Sequence, residues 1–503
     1  MPDSRGVLVV NLYTNIKSNM NELNKTDFEN NLAAENEKFR TEVATFTKSG
    51  TRKWVYAKKP SGKFTNYRTV VYSILLILLV VIPFIKLPNG NPIFKFDVFN
   101  TNFILFGYPF FTTDFFLLAF GMIVSVVFVI LFTSVYGRLF CGWVCPQTIF
   151  LEGVFRRIEF WIEGDRNKQI RLDKQDWNEE KILKRGGKWF VFYIVSFLAT
   201  NILFSYIIGM DVLIQMYKEG PTEHGGKFLG LFIFSVLFYF VFAWFREQVC
   251  TLVCPYGRLQ GVLLDKKTMQ VSYDYLRGEG KSGRSKFRKG EDRVAVGKGD
   301  CIDCGQCIAV CPTGIDIRNG SQLECINCTA CMDACDEIMV KINLPTGLIK
   351  YASEENIAQG KPFRINGRSI VFSLILVAMI SAMTIFMLNR SDVEVKFLQV
   401  PGKDYVVEGD YIINTMQYSL MNKTNKPYKL VVNVNGFKGG KTVLLVEPDK
   451  FIKIDEGELK QGLIDIKIPK SELKSYKVPV ILELKDLNGE TIDHYTISFM
   501  APF

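Results

Sequence analysis

Histidine is almost missing from this chain: its 503 residues include two, His224 and His494. Neither lies in a long apolar run, so a b-type haem held by paired membrane histidines is excluded. No Gly-x-Gly-x-x-Gly fingerprint follows a strand-like segment, which leaves no sign of a nicotinamide or flavin site. Cysteine is absent from both ends. All twelve cysteines fall between Cys141 and Cys335, and residues 389–503 have none. Disulfides belong to oxidising compartments, so this distribution reads as reduced, metal-binding or redox-active thiols. The N-terminus also lacks the short apolar core and cleavage pattern of a signal peptide, since residues 1–68 are polar and charged.

Long apolar runs are present. At 48% hydrophobic and 22% charged residues, the chain is neither disordered nor purely soluble in character. Runs near 69–85, 115–136, 188–209, 228–245 and 369–388 approach the ~20 residues that cross a bilayer. Basic residues crowd some of the loops between them. Residues 48–68 carry Lys48, Arg52, Lys53, Lys58, Lys59, Lys63 and Arg68, and 137–188 runs from Arg138 through Arg156 and Arg157 to Lys184 and Arg185. By contrast, 86–114 holds Lys86 and Lys95, and 210–227 holds Lys218 and Lys227. Positive loops stay inside, so five spans predict a cytosolic N-terminus and an external C-terminus. The formal charge of +10 then follows from topology, and a nucleic-acid partner is not needed to explain it.

Residues 301–312 read CIDCGQCIAVCP and 325–336 read CINCTACMDACD. The spacing C-x2-C-x2-C-x3-C, twice over, is the run that holds paired cubane clusters in bacterial ferredoxins, where the fourth Cys of each run ligates the other cluster. Soft thiolates suit iron–sulfur centres, whereas structural zinc takes paired C-x2-4-C units. The spacing predicts two [4Fe-4S] clusters. One is held by Cys301, Cys304, Cys307 and Cys335, the other by Cys325, Cys328, Cys331 and Cys311. Asp336 replaces the proline that follows the first run (Pro312) and adds a negative charge beside the cluster ligands. The Gly-, Lys- and Arg-rich stretch 277–300 reads as a linker.

Two further pairs, Cys141/Cys145 and Cys250/Cys254, each follow an apolar run as Cys-x3-Cys-Pro. On a helix that spacing puts both sulfurs on one face, and Pro146 or Pro255 starts a new helix or ends the old one. If the two units are duplicates about a pseudo-twofold axis, four thiols converge at the membrane boundary. Three readings remain open: buried cysteines acting as small apolar residues, a thiolate site for copper or a further cluster, or redox-cycling dithiols whose thiolates are favoured by Arg138, Arg246 and Arg258. Met379, Met383 and Met387 form a stripe on the last span, which reads as lipid-facing or helix packing before copper transport. His224 reads as a solvated loop residue.

From residue 396 the pattern changes to short alternating strands, with Asn488-Gly489 as a hairpin turn. About seven strands in ~110 residues indicate an immunoglobulin-like sandwich without its disulfide. The predicted fold is thus a multi-domain membrane protein with a five-span α-helical region, an inserted bacterial-type 2[4Fe-4S] ferredoxin domain and a C-terminal all-β immunoglobulin-like sandwich. Its expected parts are a cytosolic segment at 1–68, a four-span region at 69–276, a linker at 277–300, the ferredoxin-like domain at 301–345, a fifth span at 369–388 and the outer domain at 389–503.

Taken together, KWVYAKKPSGKFTNYRTVVYSILL, GRLFCGWVCPQT, RIEFWIEGDR, REQVCTLVCPYGRLQGVLLD, GDCIDCGQCIAVCPTGIDIRNG and LECINCTACMDACDEIM resemble the FixG/CcoG/RdxA family from about residue 50 onward. These are accessory proteins of cbb3-type cytochrome c oxidase. The resemblance implies a bacterial inner-membrane protein with a periplasmic C-terminal domain, acting with oxidase-assembly and copper-delivery partners. It also implies an oxidoreductase that reduces Cu(II) to Cu(I), with Cys141, Cys145, Cys250 and Cys254 in copper contact or the last redox step. Two other functions stay in view, a quinol-oxidising electron-transfer subunit and a non-enzymatic metallochaperone or scaffold. The electron donor, a homo-oligomeric state and the role of residues 1–50 are left open.

Overall fold

The computed structural model describes residue 45 and, apart from scattered single positions and residues 446–450, residues 51–97, 102–110, 115–360, 367–388 and 392–502. Most of segment 1–50 and Asn488 of the hairpin turn therefore lie outside the described residues. Among these residues five helices are long and apolar enough to cross a membrane: Lys63–Phe84, Ala119–Tyr136, Glu179–Ile208, Gly225–Phe245 and Ile370–Met387. At most a third of each is buried, and apolar residues such as Ile77, Val126, Leu198, Phe232, Leu237 and Leu374 face outward. Apolar faces of this extent on helices with internally satisfied backbones need lipid around them. This is a membrane protein.

The chain divides into two compact units. The first takes in residues up to Leu79 together with Ser125–Asn201 and Gly225–Val377. It holds the basic loops and the cysteine-rich domain. That domain closes on a two-stranded antiparallel ribbon, β4 (Gln270–Tyr273) with β5 (Ile349–Ala352). Between the strands lie the helices Gln306–Ala309 and Ala330–Lys341. Val271, Tyr273, Ile317, Met332, Met339, Leu348 and Ile349 form its core around Cys301 and Cys307. The ferredoxin-like domain is therefore wider than 301–345, because the strands that seal it lie outside both cysteine runs.

One other expectation also differs from the structure. Residues 277–300 do not form a loose linker. The buried Arg293 donates to the carbonyls of Gly299 and Cys301, and Gly280 pairs with Lys298 across a β-bridge. Nor is the stretch before the first span free. Lys58 bonds Ala309 and Gln306, and the Lys59 amide donates to Asp165.

The second unit contains Val80–Val124, Ile202–His224 and Ala378–Phe503. Its first loop folds into a three-stranded antiparallel sheet, β1 (Phe94–Asp97), β2 (Asn102–Leu105) and β3 (Tyr108–Phe110). The C-terminal part is a sandwich of two sheets. Strands β10 (Lys441–Leu444), β12 (Leu459–Pro469), β8 (Tyr411–Asn422) and β6 (Val393–Gln399) form one sheet, with β7 (Val406–Glu408) on β8. The other consists of β11 (Ile452–Ile454), β9 (Tyr428–Asn435), β13 (Lys477–Asp486) and β14 (Thr491–Met500). Ile464, Ile466 and Ile468 alternate inward along β12 onto Tyr418, Leu430, Leu482 and Phe499, all shut from solvent. These are nine strands among the described residues, against the seven expected. The two extra are the three-residue β7 and β11. In this unit Met383 packs on Gly121, and Phe386 stacks edge-on against Phe116 and Phe120, so Met383 of the stripe takes part in a helix contact.

Candidate iron–sulfur and thiol centre

The two cysteine runs fold alike. In each, the second residue after the first Cys and the residue after the second Cys adopt left-handed backbone: Asp303 and Gly305 in one, Asn327 and Thr329 in the other. Asp, Asn and Gly tolerate that conformation, and Thr329 does so only under strain. The alternation winds each loop tightly enough to turn its sulfurs inward. Cys301, Cys304, Cys307 and Cys335 line one cavity beside Tyr273, Arg318 and Leu348. Cys311, Cys325, Cys328 and Cys331 line a second, beside Ile315, Ile317 and Ile326, and Cys307 reaches this one too. The fourth Cys of each run thus faces the cavity of the other run.

All eight are free thiols. Among the described residues no three His, Cys, Asp or Glu side chains close on a point that could hold one metal ion. Four sulfurs spread around an apolar cavity suit a multi-atom cluster and not a lone zinc ion, so the residues present fit a cubane in each cavity. Burial pushes the thiols of Cys307, Cys325 and Cys335 up to about 12, so loading iron there must release protons. Asp336, which adds to the rise at Cys335, also accepts the Gly347 amide at 2.8 Å. The first cavity opens to solvent at the exposed Cys304, whereas Cys328 of the second is buried.

The membrane-side pairs are built differently from the expected single helical face. Cys141 sits in the short helix Leu139–Trp143, and Cys145 is extended and caps a new helix that Pro146 opens. Cys250 lies in the turn Val249–Val253, and Cys254 caps the helix Pro255–Leu263, its sulfur accepting the Gly257 amide at 3.4 Å. Proline at the first helical position costs no hydrogen bond, which is why each pair straddles a helix start. Burial raises Cys141 and Cys250 to about 12; the charges of Cys145 and Cys254 add to both, and Arg138 opposes the rise at Cys141. Each of the four sulfurs thus lies within electrostatic reach of the others. Gln260, with 0% exposure, accepts the Cys141 thiol at 3.2 Å. No sequence signal pointed to Gln260.

Of the three arginines expected to favour thiolates, Arg138 does act on Cys141. Arg246 instead makes a two-pronged pair with Glu159 at 3.0 and 2.9 Å, and Arg258 is exposed. Burial opposes ionisation of Glu159, yet Arg246 and Lys188 outweigh it and hold the carboxyl at about 2. Arg246 has a left-handed backbone four residues before Cys250, so the ion pair fixes a strained turn next to the second thiol pair. His224 pairs with Glu219.

The thiol motifs and the second cavity are packed together. Cys141, with Cys331 and Ala334, rests on a buried cluster of Val310, Ile326, Cys328 and Ala330. Next to it, a Cβ on Gly142 would lie 2.4 Å from the Ile326 carbonyl oxygen, so glycine is required for the approach. The first span ties the two from one side. Asp333 accepts the amides of Phe64 and Thr65, Arg68 (4% exposed) donates to the Cys328 carbonyl at 2.6 Å, and Tyr72 donates to the Gly142 carbonyl at 2.6 Å.

Comparison with known proteins agrees with this geometry. A family model for a 4Fe-4S dicluster domain matches residues 245–354, and one for a 4Fe-4S binding domain matches 118–169. A third, for the immunoglobulin-like fold at the C-terminus of FixG, matches 383–502. Protein RdxA of Cereibacter sphaeroides is 32% identical over 402 residues, covering 76% of this chain and 83% of RdxA. RdxB of the same organism is 31% identical over 399 residues, 76% of this chain and 82% of RdxB. The nitrogen fixation protein FixG of Rhizobium meliloti is 33% identical over 334 residues, 63% of this chain and 60% of FixG. With its dicluster segment, its apolar spans and its immunoglobulin-like sandwich, the chain belongs to the FixG family of iron–sulfur electron-transfer proteins.

Proposed function

We propose that this protein is a membrane-bound cupric reductase serving the assembly of a cbb3-type oxidase. Cys301, Cys304, Cys307 and Cys335 would hold one [4Fe-4S] cluster, and Cys311, Cys325, Cys328 and Cys331 the other. When bound, the clusters supply one-electron transfer. Cys141, Cys145, Cys250 and Cys254 receive the copper substrate. Each Cu(II) takes one electron and becomes Cu(I), which soft sulfur donors stabilise over Cu(II). The electron comes from a separate reductant, a protein or a quinol. The single observation that carries this reading is the packing of Cys141 onto the buried cluster that includes Cys328. Copper as the acceptor rests on the family resemblance. The basic loops argue for a cytosolic N-terminus and cluster domain, with the sandwich in the periplasm of a bacterial inner membrane.

Anaerobically purified protein, reduced with dithionite and freed of excess reductant, should reduce Cu(II) in the presence of a Cu(I)-specific chelator, one copper for each electron it stores. Intact clusters without any copper reduction would rule the reading out. Rapid cluster reduction by a quinol analogue in that same inactive protein would favour a quinol-oxidising carrier instead.

A further inference from the structure

One guanidinium touches both halves of this centre. Arg138, 5% exposed, sits between the second span and the helix that carries Cys141. One terminal nitrogen donates to the Leu323 carbonyl and lies 3.5 Å from that of Cys325, at the entrance to the second cysteine run. The other donates to the Gly257 carbonyl at 2.6 Å, and the amide of Gly257 in turn donates to the Cys254 sulfur. The backbone holds it there. Gly137 has φ +58°, and a Cβ at that position would lie 2.6 Å from the Met269 carbonyl oxygen, so the chain can turn in this way only at glycine.

The outer cavity has a cation of another kind. Arg318, which lines it beside Cys301 and Cys304, is paired with Asp303 and Asp316 at 2.5 and 2.7 Å. Its charge is locally cancelled. The hydrogen bonds described for Arg138 go to carbonyl oxygens, which take up its proton donors and carry no opposing full charge. A buried positive charge favours whichever neighbouring group gains an electron.

We propose that Arg138 is the positioning residue that couples the inner cysteine cavity (Cys311, Cys325, Cys328, Cys331), and not the outer one, to the four membrane thiols. The inference rests on the reading of both cavities as cluster sites. It orders the path: electrons enter at the cavity beside the exposed Cys304 and leave from the cavity against Cys141.

The test is a redox titration of the full-length protein, followed by paramagnetic resonance, with each signal assigned by its own ligand variant (Cys304→Ser, outer; Cys328→Ser, inner). Arg138→Gln should shift the inner midpoint to more negative potential, by about tenfold in the oxidised-to-reduced ratio at fixed potential, or ~59 mV for one electron. The outer midpoint should stay put, and Arg138→Lys, which keeps the charge, should restore most of the shift. A shift of the outer midpoint, or equal shifts of both, overturns the proposal. Should Arg138→Gln fail to assemble, Cys141→Ser decides the matter: the inner signal must change and the outer must not, and any other pattern refutes the coupling. A wild-type protein without iron would instead defeat the functional reading itself, while a loaded, copper-reducing protein with the wrong pattern defeats only this inference.

Discussion

Adding one methyl group at residue 142 is the sharpest perturbation of the junction between the thiol motifs and the second cysteine cavity. A Cβ there would meet the Ile326 oxygen at 2.4 Å and the Asn327 carbonyl carbon and oxygen at 2.9 Å. These are backbone atoms, unable to rotate away. Ordinary contact would require the two loops to part by about 1 Å, and overpacking of this kind costs about 1–3 kcal/mol. Gly142→Ala should therefore lower the thermal transition of the detergent-solubilised protein and depress dithionite-driven copper reduction, with both cavities still loaded. Gly186→Ala is the matched control. Nothing lies within 4 Å of its added methyl, and in a helix the change should be neutral or stabilising by up to ~1 kcal/mol. If Gly142→Ala matches wild type in stability, copper reduction and inner-cavity resonance signal, then the two loops do not touch as described.

Other consequences can be checked in the same preparation. Replacing Cys141 and Cys145 with Ser should abolish copper reduction while both clusters stay bound, the inner signal altered and the outer unchanged; loss of the clusters would show that these residues had been assigned the wrong role. Tyr72→Phe removes the hydrogen bond to the Gly142 carbonyl and leaves a buried acceptor unpaired, so a loss of about 1–3 kcal/mol in thermal stability is expected, and an unchanged transition contradicts it. Glu159 is held at about 2 against an ordinary 4.5. At ~1.4 kcal/mol per pH unit, that difference contributes about 3 kcal/mol of stability. Because the folded value is depressed, the contribution is complete above about pH 5 and lost as pH falls towards 2. Glu159→Gln should thus be much less stable than wild type at pH 7, and the gap should narrow on acidification; a gap independent of pH refutes this.

What could be read from the sequence was chemistry written locally. The eight cysteines of 301–335 announce their partners by spacing, and even the crossing of Cys311 and Cys335 into opposite cavities follows from that pattern. Apolar runs gave the spans to within a few residues, save that the helices at Lys63 and Glu179 begin earlier in polar sequence. Contacts made across the chain left no such trace. Arg68 meets Cys328 across 260 positions and Arg138 meets Leu323 across 185, and each looks from the sequence like one more basic residue beside a span. Gln260 and Gly142 acquire meaning only from what packs on them. The Cys-x3-Cys-Pro pairs fell between these cases. Their form was not foreseeable, because the backbone of each pair leaves the helix before its proline begins the next. In the sandwich, β7 and β11 went unseen because three residues hold no period.

The central claim is that iron held by sulfur occupies the two cysteine cavities. Iron and acid-labile sulfide should be quantified on protein purified under strict exclusion of oxygen. The account predicts about eight of each per chain, the content of two cubanes held by four cysteines apiece. A colourless, iron-free protein, or one with zinc in their place, would contradict it.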